Sequence, residues 1–392
     1  MTYKILTLNH IAVAGLRVLP REHYEVASEI GHPDGILLRS FNMHDMEIPA
    51  SVKAVGRAGA GTNNIPVELL SKRGVPVFNA PGANANAVKE LVLAGLFLAA
   101  RNLCAGWDYV RNLEGDAEAV HKAVESGKKQ FAGYELPGRT LGVIGLGAIG
   151  VEVANAALTM GMNVVGYDPK LTVERAWQMS SGVRQAASLD DLFCRSDIVT
   201  AHVPLNDHTR GLVNAERIAL MPKGGVILNF ARGGIVDDAA VLAALDAGRL
   251  DKYVTDFPTA QTKGHADVIG LPHLGASTAE AEENCAKMVA TNLRDYLENG
   301  NIRHSVNFPE TVMPRDGRSR LAIANANVPN VIGQLSTALA TAGSNIADML
   351  NKSRGDLAYT LIDVDSDVSQ ATLEAIASID SVLCVRALPA LT

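Results

Sequence analysis

Two side chains stand out for the chemistry they could carry: Arg232 in "NFARGGIVD" and His273 in "VIGLPHLGAS". Each follows a short β-like run, and Arg232 is followed by two glycines. A guanidinium at the end of a strand can grip a carboxylate bidentately and polarise a neighbouring carbonyl. An imidazole is the natural proton carrier near neutral pH. Taken alone, Arg232 reads as a turn arginine and His273 as a core histidine. A second histidine nearby, His265, sits among Lys, Gly and Asp, where a solvated loop accounts for it.

The glycine loop "LGVIGLGAIG" changes that balance. Gly145, Gly147 and Gly150 have G-x-G-x-x-G spacing, after a strand-like run and at the start of a helical one. Gly145 permits a tight turn, Gly147 lets backbone approach a pyrophosphate, and Gly150 allows a helix to lie close on its strand. Amides at the helix start would face the phosphate charge. The next β-like run, "NVVGYD", ends at Asp168, near the distance expected for an acid that accepts bonds from an adenosine ribose. A carboxylate there repels a 2′-phosphate, so the expected cofactor is NAD rather than NADP. NAD, an arginine and a histidine together suggest oxidation of a 2-hydroxy acid. Arg232 would hold the carboxylate and His273 would take the hydroxyl proton.

The elements that must position these groups are legible as alternation. Short β-rich runs ("KAVGRAG", "VPVFNAP", "TLGVIG", "NVVGYD", "DIVTAHV", "GVILNF", "YVTDF") alternate with helical patterns through about residue 310, as in α/β folds with parallel sheets. Helices are expected over "NAVKELVLAGLFLAARNL" and from Ser277 to Asn299, the latter with Ser277 and Glu280 in capping-box spacing and a stop at Gly300. Past the linker-like "NFPETVMPRDGRSR", the order β-α-β-β-α-β predicts a ferredoxin-like domain over 318–392. A chain of 392 residues with 47% apolar residues can build several cores. Its net charge of −7 argues against nucleic acid or an anionic membrane as partner, since either needs a basic face. Four scattered cysteines show no metal-type spacing and suit reduced thiols. The start of the chain reads as a strand rather than a signal peptide, and no apolar run reaches spanning length. The expectation is a cytoplasmic protein with no metal site.

With "GLGAIG", "YDP", "HVPLNDHTRGLVNAE", "NFARGGIVDD" and "PHLGAST" in this order, the chain resembles the D-isomer-specific 2-hydroxyacid dehydrogenases. The N-terminal "GRAGAGTNNIPVELLSKRGVPVFNAPGANANAVKELVLAGLFLAARN" and the C-terminal module, which looks like an amino-acid-binding ACT domain, narrow the likeness. They point to the branch that acts on a phosphorylated hydroxy acid on the way to serine. The resemblance implies two Rossmann-like or flavodoxin-like lobes. A substrate-binding domain would use 1–95 and 275–310, with an NAD-binding domain over 96–274 and a cleft at their junction. Arg232 and His273 match the catalytic arginine and histidine. Cofactor positions fall on Gly145, Gly147, Ala148, Ile149, Gly150, Asp168, Val203, Pro204, Phe230, Ala231, Arg232, Asp256, His273, Gly275 and Ala276. Substrate positions fall on Arg39, Arg57, Asn84 and Arg232, the cationic pair Arg39 and Arg57 suiting a phosphate. Asn327 and Asn345 match positions that bind a serine effector, and the family forms homodimers or homotetramers.

Two departures qualify the likeness. The family pattern D-V-F-x-x-E-P supplies a glutamate that supports the histidine, whereas this chain reads "TDFPTAQ". A gapless match places Ala260 at the glutamate and Thr255 at the family's aspartate, with Asp256 one residue late. Without that carboxylate the histidine loses an orienting anion, so the expectation is lower activity, a shifted pH dependence, or an acid from elsewhere in the fold. Asp256 is the first nearby candidate, although strand alternation argues for its pointing away. In the C-terminal module, "NANVPN" stands for H-x-N-x-P-G, so Asn325 and Asn330 replace a histidine and a glycine. Other readings stay open at this level: a different D-2-hydroxy acid, or an NAD(H)-responsive regulatory protein on the same fold.

Overall fold

The computed structural model describes residues 2–390. Strands β1 (Tyr3–Thr7), β2 (Tyr24–Ala27), β3 (Gly35–Leu38), β4 (Ala54–Arg57) and β5 (Val77–Phe78) form a parallel sheet in the order β2-β1-β3-β4-β5. A second sheet holds seven strands: β6 (Thr140–Ile144), β7 (Asn163–Tyr167), β8 (Arg184–Gln185), β9 (Ile198–Ala201), β10 (Gly225–Asn229), β11 (Leu250–Thr255) and β12 (Val268–Gly270). Its order, β12-β11-β10-β9-β6-β7-β8, is parallel throughout and reverses direction between β6 and β9. That reversal is the switch point at which doubly wound sheets bind ligands. Strands β9 and β10 are buried at every residue, because helices cover both faces of a parallel sheet, and they therefore read as unbroken apolar runs. The last sheet is antiparallel: β13 (Ser319–Ala326), β14 (Ile346–Arg354), β15 (Leu357–Val364) and β16 (Val382–Leu388), in the order β14-β15-β13-β16. With helices Val331–Thr341 and Gln370–Ala377 it realises the β-α-β-β-α-β order expected from sequence.

The chain divides into two compact units. One comprises the residues up to Ala83 together with those from Ala279 onward, and the other is Asn84–Thr278. In the first, helix Ala279–Asn299 is the common packing element. Its Ala286, Val289, Leu293 and Tyr296 share one core with Ile5, Leu37 and Phe78 and with Tyr359, Leu361 and Leu388 of the antiparallel sheet. The last carbonyls of a helix have no intrahelical partner, and here C-terminal segments supply them. Arg386 donates to the carbonyls of Tyr296 and Leu297, Arg315 to Glu298, Arg320 to Asn299, and the Tyr359 hydroxyl to Gly300. Cations at a helix C-terminus also oppose its dipole. Gly300 stops the helix at φ +74, as its sequence position predicts.

Two sequence expectations need correction. The helix expected over 86–103 ends at Ala100. Asn102 adopts a left-handed conformation (φ 50), and a new helix, Leu103–Arg111, begins there. Asparagine tolerates that region better than most residues, so the break left no glycine or proline as a mark. The helix expected from Ser277 starts two residues later, at Ala279.

Candidate active site

The glycine loop connects β6 to helix Ala148–Thr159, with Gly147 as the capping residue. Gly145 has φ +86, and a Cβ on it would meet the His202 carbonyl oxygen at 2.7 Å. A Cβ on Gly150 would lie 1.9 Å from the Gly145 carbonyl oxygen, so only glycine lets the helix sit this close. At Gly147 nothing comes within 4 Å, leaving open space beside the first helical residues, Ala148 and Ile149. Asp168 follows β7; its carboxylate accepts from the Leu146 amide at 2.9 Å and from the Lys170 amide at 2.8 Å. The acid thus ties the loop to the strand end. Open backbone at Gly147, free amides at a helix start and an acid at the next strand end fit a dinucleotide. Val203 and the exposed Pro204 follow β9, with Val203 against Gly145.

The carboxyl ends of β10, β11 and β12 carry the second group of residues. Asn229, the last residue of β10, is 1% exposed. Its side-chain amide donates to the Arg232 carbonyl at 3.0 Å, and its oxygen accepts from the Ala231 amide at 3.2 Å. It folds the Phe230–Arg232 turn over the strand end. Phe230 itself is 5% exposed and packs into the core, so only its backbone is available to a ligand. Arg232 is half-buried and donates to the Ala231 carbonyl at 2.7 Å. Thr255, fully buried, bridges strands: its hydroxyl donates to the Asn229 carbonyl at 3.0 Å and accepts from the Phe257 amide at 3.0 Å.

Asp256 lies next in the chain and is 2% exposed. One carboxylate oxygen accepts from the Gly275 amide at 3.2 Å; the other is buried with no hydrogen-bond partner among the described residues. Burial pushes its pKa above the usual carboxylate value, against the lowering pull of the Gly275 amide and of the nearby His273 and Arg232. The His273 amide donates to the Asp256 carbonyl at 3.0 Å, while the exposed ring packs on Phe257 with centroids 4.6 Å apart. His273 also has φ +32, unusual for a residue with a Cβ and the kind of local strain that functional sites retain. Gly275 and the half-buried Ala276 follow in the same turn. Ala260 is exposed in the turn after β11, and the Thr259 hydroxyl beside it donates to Asp238 at 2.8 Å. Arg232, Asp256 and His273 therefore lie in neighbouring strand-end turns, and Asp256 is the carboxylate whose charge is felt near His273 and Arg232, its own hydrogen bond going to the Gly275 amide. His265 is more constrained than a solvated loop implies: its ring meets Asp246 at 3.2 Å and accepts from the Asp267 amide at 3.1 Å.

Sequence reasoning missed Asn229 and His202, and it named Thr255 only as the residue standing at the family's aspartate. Asn229 and Thr255 shape the strand ends, and the only sequence signal was a polar residue closing an apolar run. His202, at the end of β9, meets the Thr200 hydroxyl at 3.1 Å, and burial pushes its pKa down to about 4, leaving it neutral.

In the other unit, Arg39 and Arg57 stand at the carboxyl ends of the neighbouring strands β3 and β4, where Leu38 pairs with Arg57. The Arg57 Nε donates to the Arg39 carbonyl at 3.0 Å, and the Arg39 guanidinium pairs with Glu282 at 2.6 Å. Asn84 opens the unit that holds the glycine loop, at the start of helix Ala85–Ala100; it makes no capping bond, and its side-chain oxygen is buried without a partner among the described residues. Asn327 and Asn345 are both exposed. The Asn327 amide donates to the Gly355 carbonyl at 2.9 Å, and the Asn345 backbone amide donates to Asp365 at 3.1 Å. Asn325 is buried and accepts from the Thr360 hydroxyl, whereas Asn330 takes a left-handed φ of +68, close to what a glycine would supply there.

Residues 93–275 match the family described as D-isomer specific 2-hydroxyacid dehydrogenase, NAD binding domain. A D-3-phosphoglycerate dehydrogenase from Haemophilus influenzae is 33% identical over 355 residues, covering 88% of this chain and 83% of its own length. One from Methanocaldococcus jannaschii is 37% identical over 303 residues, covering 75% of this chain but 55% of that longer protein. The crystal structure of NAD+-bound 3-phosphoglycerate dehydrogenase from Entamoeba histolytica superposes with a TM-score of 0.60 at 26% identity, covering 78% of this chain and all but 1% of that one (99%). The chain belongs to the D-isomer-specific 2-hydroxyacid dehydrogenase family and carries its NAD-binding domain.

Proposed function

We propose that this protein oxidises D-3-phosphoglycerate to 3-phosphohydroxypyruvate with NAD, the first step toward L-serine. The observation that carries the reading is the convergence of Arg232, Asp256 and His273 at the carboxyl ends of β10–β12, in the unit that holds the glycine loop. The names of the relatives support the substrate.

Bound NAD supplies the hydride acceptor. The loop amides at Ala148 and Ile149 would hold its pyrophosphate and Asp168 its ribose. The strand-end segments Val203–Pro204, Phe230–Arg232 and Gly275–Ala276 would flank the cofactor. Arg232 grips the substrate carboxylate and polarises the carbon that becomes a ketone. His273 takes the proton from the C2 hydroxyl as the C2 hydrogen departs with its electron pair, and returns it when the reaction runs backward. Asp256 stabilises the imidazolium so formed, a task the exposed Ala260 has no group to perform. Arg39 and Arg57 hold the phosphate, with Asn84 as a further substrate contact. Serine at Asn327 and Asn345 is the candidate effector of an ACT domain, and a cytoplasmic homodimer or homotetramer is the expected form. Among the described residues no helix is long and apolar enough to cross a membrane.

The test compares wild type with His273→Ala and Arg232→Ala, measuring NADH oxidation by 3-phosphohydroxypyruvate alongside NADH binding by fluorescence. Turnover lost with NADH binding retained supports the roles given. Turnover surviving His273→Ala removes that residue as the base. A wild type that binds NADH and turns over no keto acid is a regulatory protein instead.

A further inference from the structure

The arginine pair carries its own anion. Arg39 follows β3 and Arg57 ends β4, so two cations stand side by side at the edge where a parallel sheet receives ligands. Opposite them is the first turn of helix Ala279–Asn299, where Glu282 reaches the Arg39 Nη1 at 2.6 Å, each side chain about one-third exposed (35% and 33%). One turn further along lies Cys285, 4% exposed, while Arg57 is tied to the same place by its Nε bond to the Arg39 carbonyl at 3.0 Å. Burial pushes that thiol up, so it is neutral and adds no anion. The Arg39–Glu282 pair thus offsets one positive charge where a phosphate dianion would draw on both arginines.

We propose that Glu282 is a specificity-determining residue: its carboxylate occupies Arg39 as an internal anion that a phosphorylated hydroxy acid must displace. Glu282 therefore narrows the advantage of phosphorylated over unphosphorylated substrates. The inference rests on the phosphate-binding role given to Arg39 and Arg57 above. An acid in the first turn of a helix is favoured by the helix dipole alone, so a strap with no part in recognition is the competing account. The two accounts differ in selectivity, since a strap has no reason to distinguish two substrates that differ by a phosphate.

The experiment uses the full chain as wild type, Glu282→Gln and Glu280→Gln; the last lies in the same helical turn but away from Arg39. Binding of 3-phosphoglycerate is titrated calorimetrically with NADH present, which permits no turnover. The amide keeps an acceptor for Arg39 and removes the charge, so Glu282→Gln should tighten binding about two- to fivefold, the scale of a part-exposed ion pair. Glu280→Gln should match wild type. In steady state, Glu282→Gln should lower the KM for 3-phosphohydroxypyruvate by a similar factor, with kcat and the KM for hydroxypyruvate unchanged. Unaltered 3-phosphoglycerate affinity in Glu282→Gln, equal shifts for both keto acids, or no binding by either protein overturns the proposal. Absence of wild-type turnover would instead count against the dehydrogenase reading, while the titration still decides the role of Glu282.

Discussion

Replacing Asp256 by asparagine separates what its carboxylate does for the reaction from what it does for the fold. Asparagine keeps the shape and can still accept from the Gly275 amide, now 3.2 Å from the carboxylate, so the 271–275 turn should persist. What disappears is one negative charge near His273 and Arg232. Unit charges about 5 Å apart interact by about 3 kcal/mol at an effective dielectric of about 20. The exposure of His273 screens this, and a discounted 1–2 kcal/mol is about 5- to 30-fold in kcat. The sign for stability is opposite. Asp256 has a folded-state pKa raised above the ordinary 3.8, chiefly by burial. The native state therefore holds its proton to higher pH than the unfolded chain does, and stability falls as pH rises from the unfolded to the folded pKa. Above that window the variant should melt no lower than wild type, and the advantage should shrink as pH drops through it. The assays are kcat against pH and thermal unfolding at two pH values. Adding Ala260→Glu, which places a carboxylate where the family keeps one, should recover part of the lost kcat. An Asp256→Asn enzyme with wild-type kcat and an unmoved pH profile would refute the assignment.

Four other substitutions probe the cofactor loop and the scaffold. Gly147→Ala meets no atom within 4 Å, so it should melt within about 0.5 kcal/mol of wild type yet bind NADH at least about tenfold more weakly by fluorescence titration, because the methyl fills space meant for pyrophosphate. Gly150→Ala, whose Cβ would lie 1.9 Å from the Gly145 carbonyl oxygen, should instead lose about 3 kcal/mol or more in denaturant melts. Asp168→Ala removes the acceptor for two loop amides and should raise kcat/KM for NADPH relative to NADH by about tenfold. Arg320→Ala strips Asp363 of a fully buried bidentate partner, with contacts of 2.6 and 2.7 Å, and should cost about 3–5 kcal/mol in denaturant unfolding.

The features legible in the sequence were those set by local spacing. The loop glycines and Asp168 announce a strand–turn–helix–strand unit because each position answers a steric demand within some twenty residues, and those demands reappear as the close approach at Gly150 and the open space at Gly147. The placement of Arg232 and His273 at strand ends was readable because both follow apolar runs, but their own surroundings carried no chemical signal and only the glycine loop gave them one. Features built from distant segments were not readable. The pairing of Glu282 with Arg39 joins a helix to a strand end far apart in the chain, and Arg320 finds Asp363 43 residues away. The break at Asn102 escaped notice because helix-forming residues surround it on both sides. Asp256 could be suspected from its place in the sequence, but strand alternation did not say that its carboxylate would be enclosed at the Gly275 turn.

The central claim is that this family member is a working dehydrogenase for a phosphorylated substrate, with Asp256 rather than a residue at position 260 serving His273. Its most direct test is the rate of NADH oxidation by the intact wild-type protein with 3-phosphohydroxypyruvate, set beside hydroxypyruvate and glyoxylate. The account predicts turnover with all the hallmarks of saturation and a higher kcat/KM for the phosphorylated keto acid. Tight NADH binding without turnover of any of the three, or faster turnover of an unphosphorylated one, would contradict it.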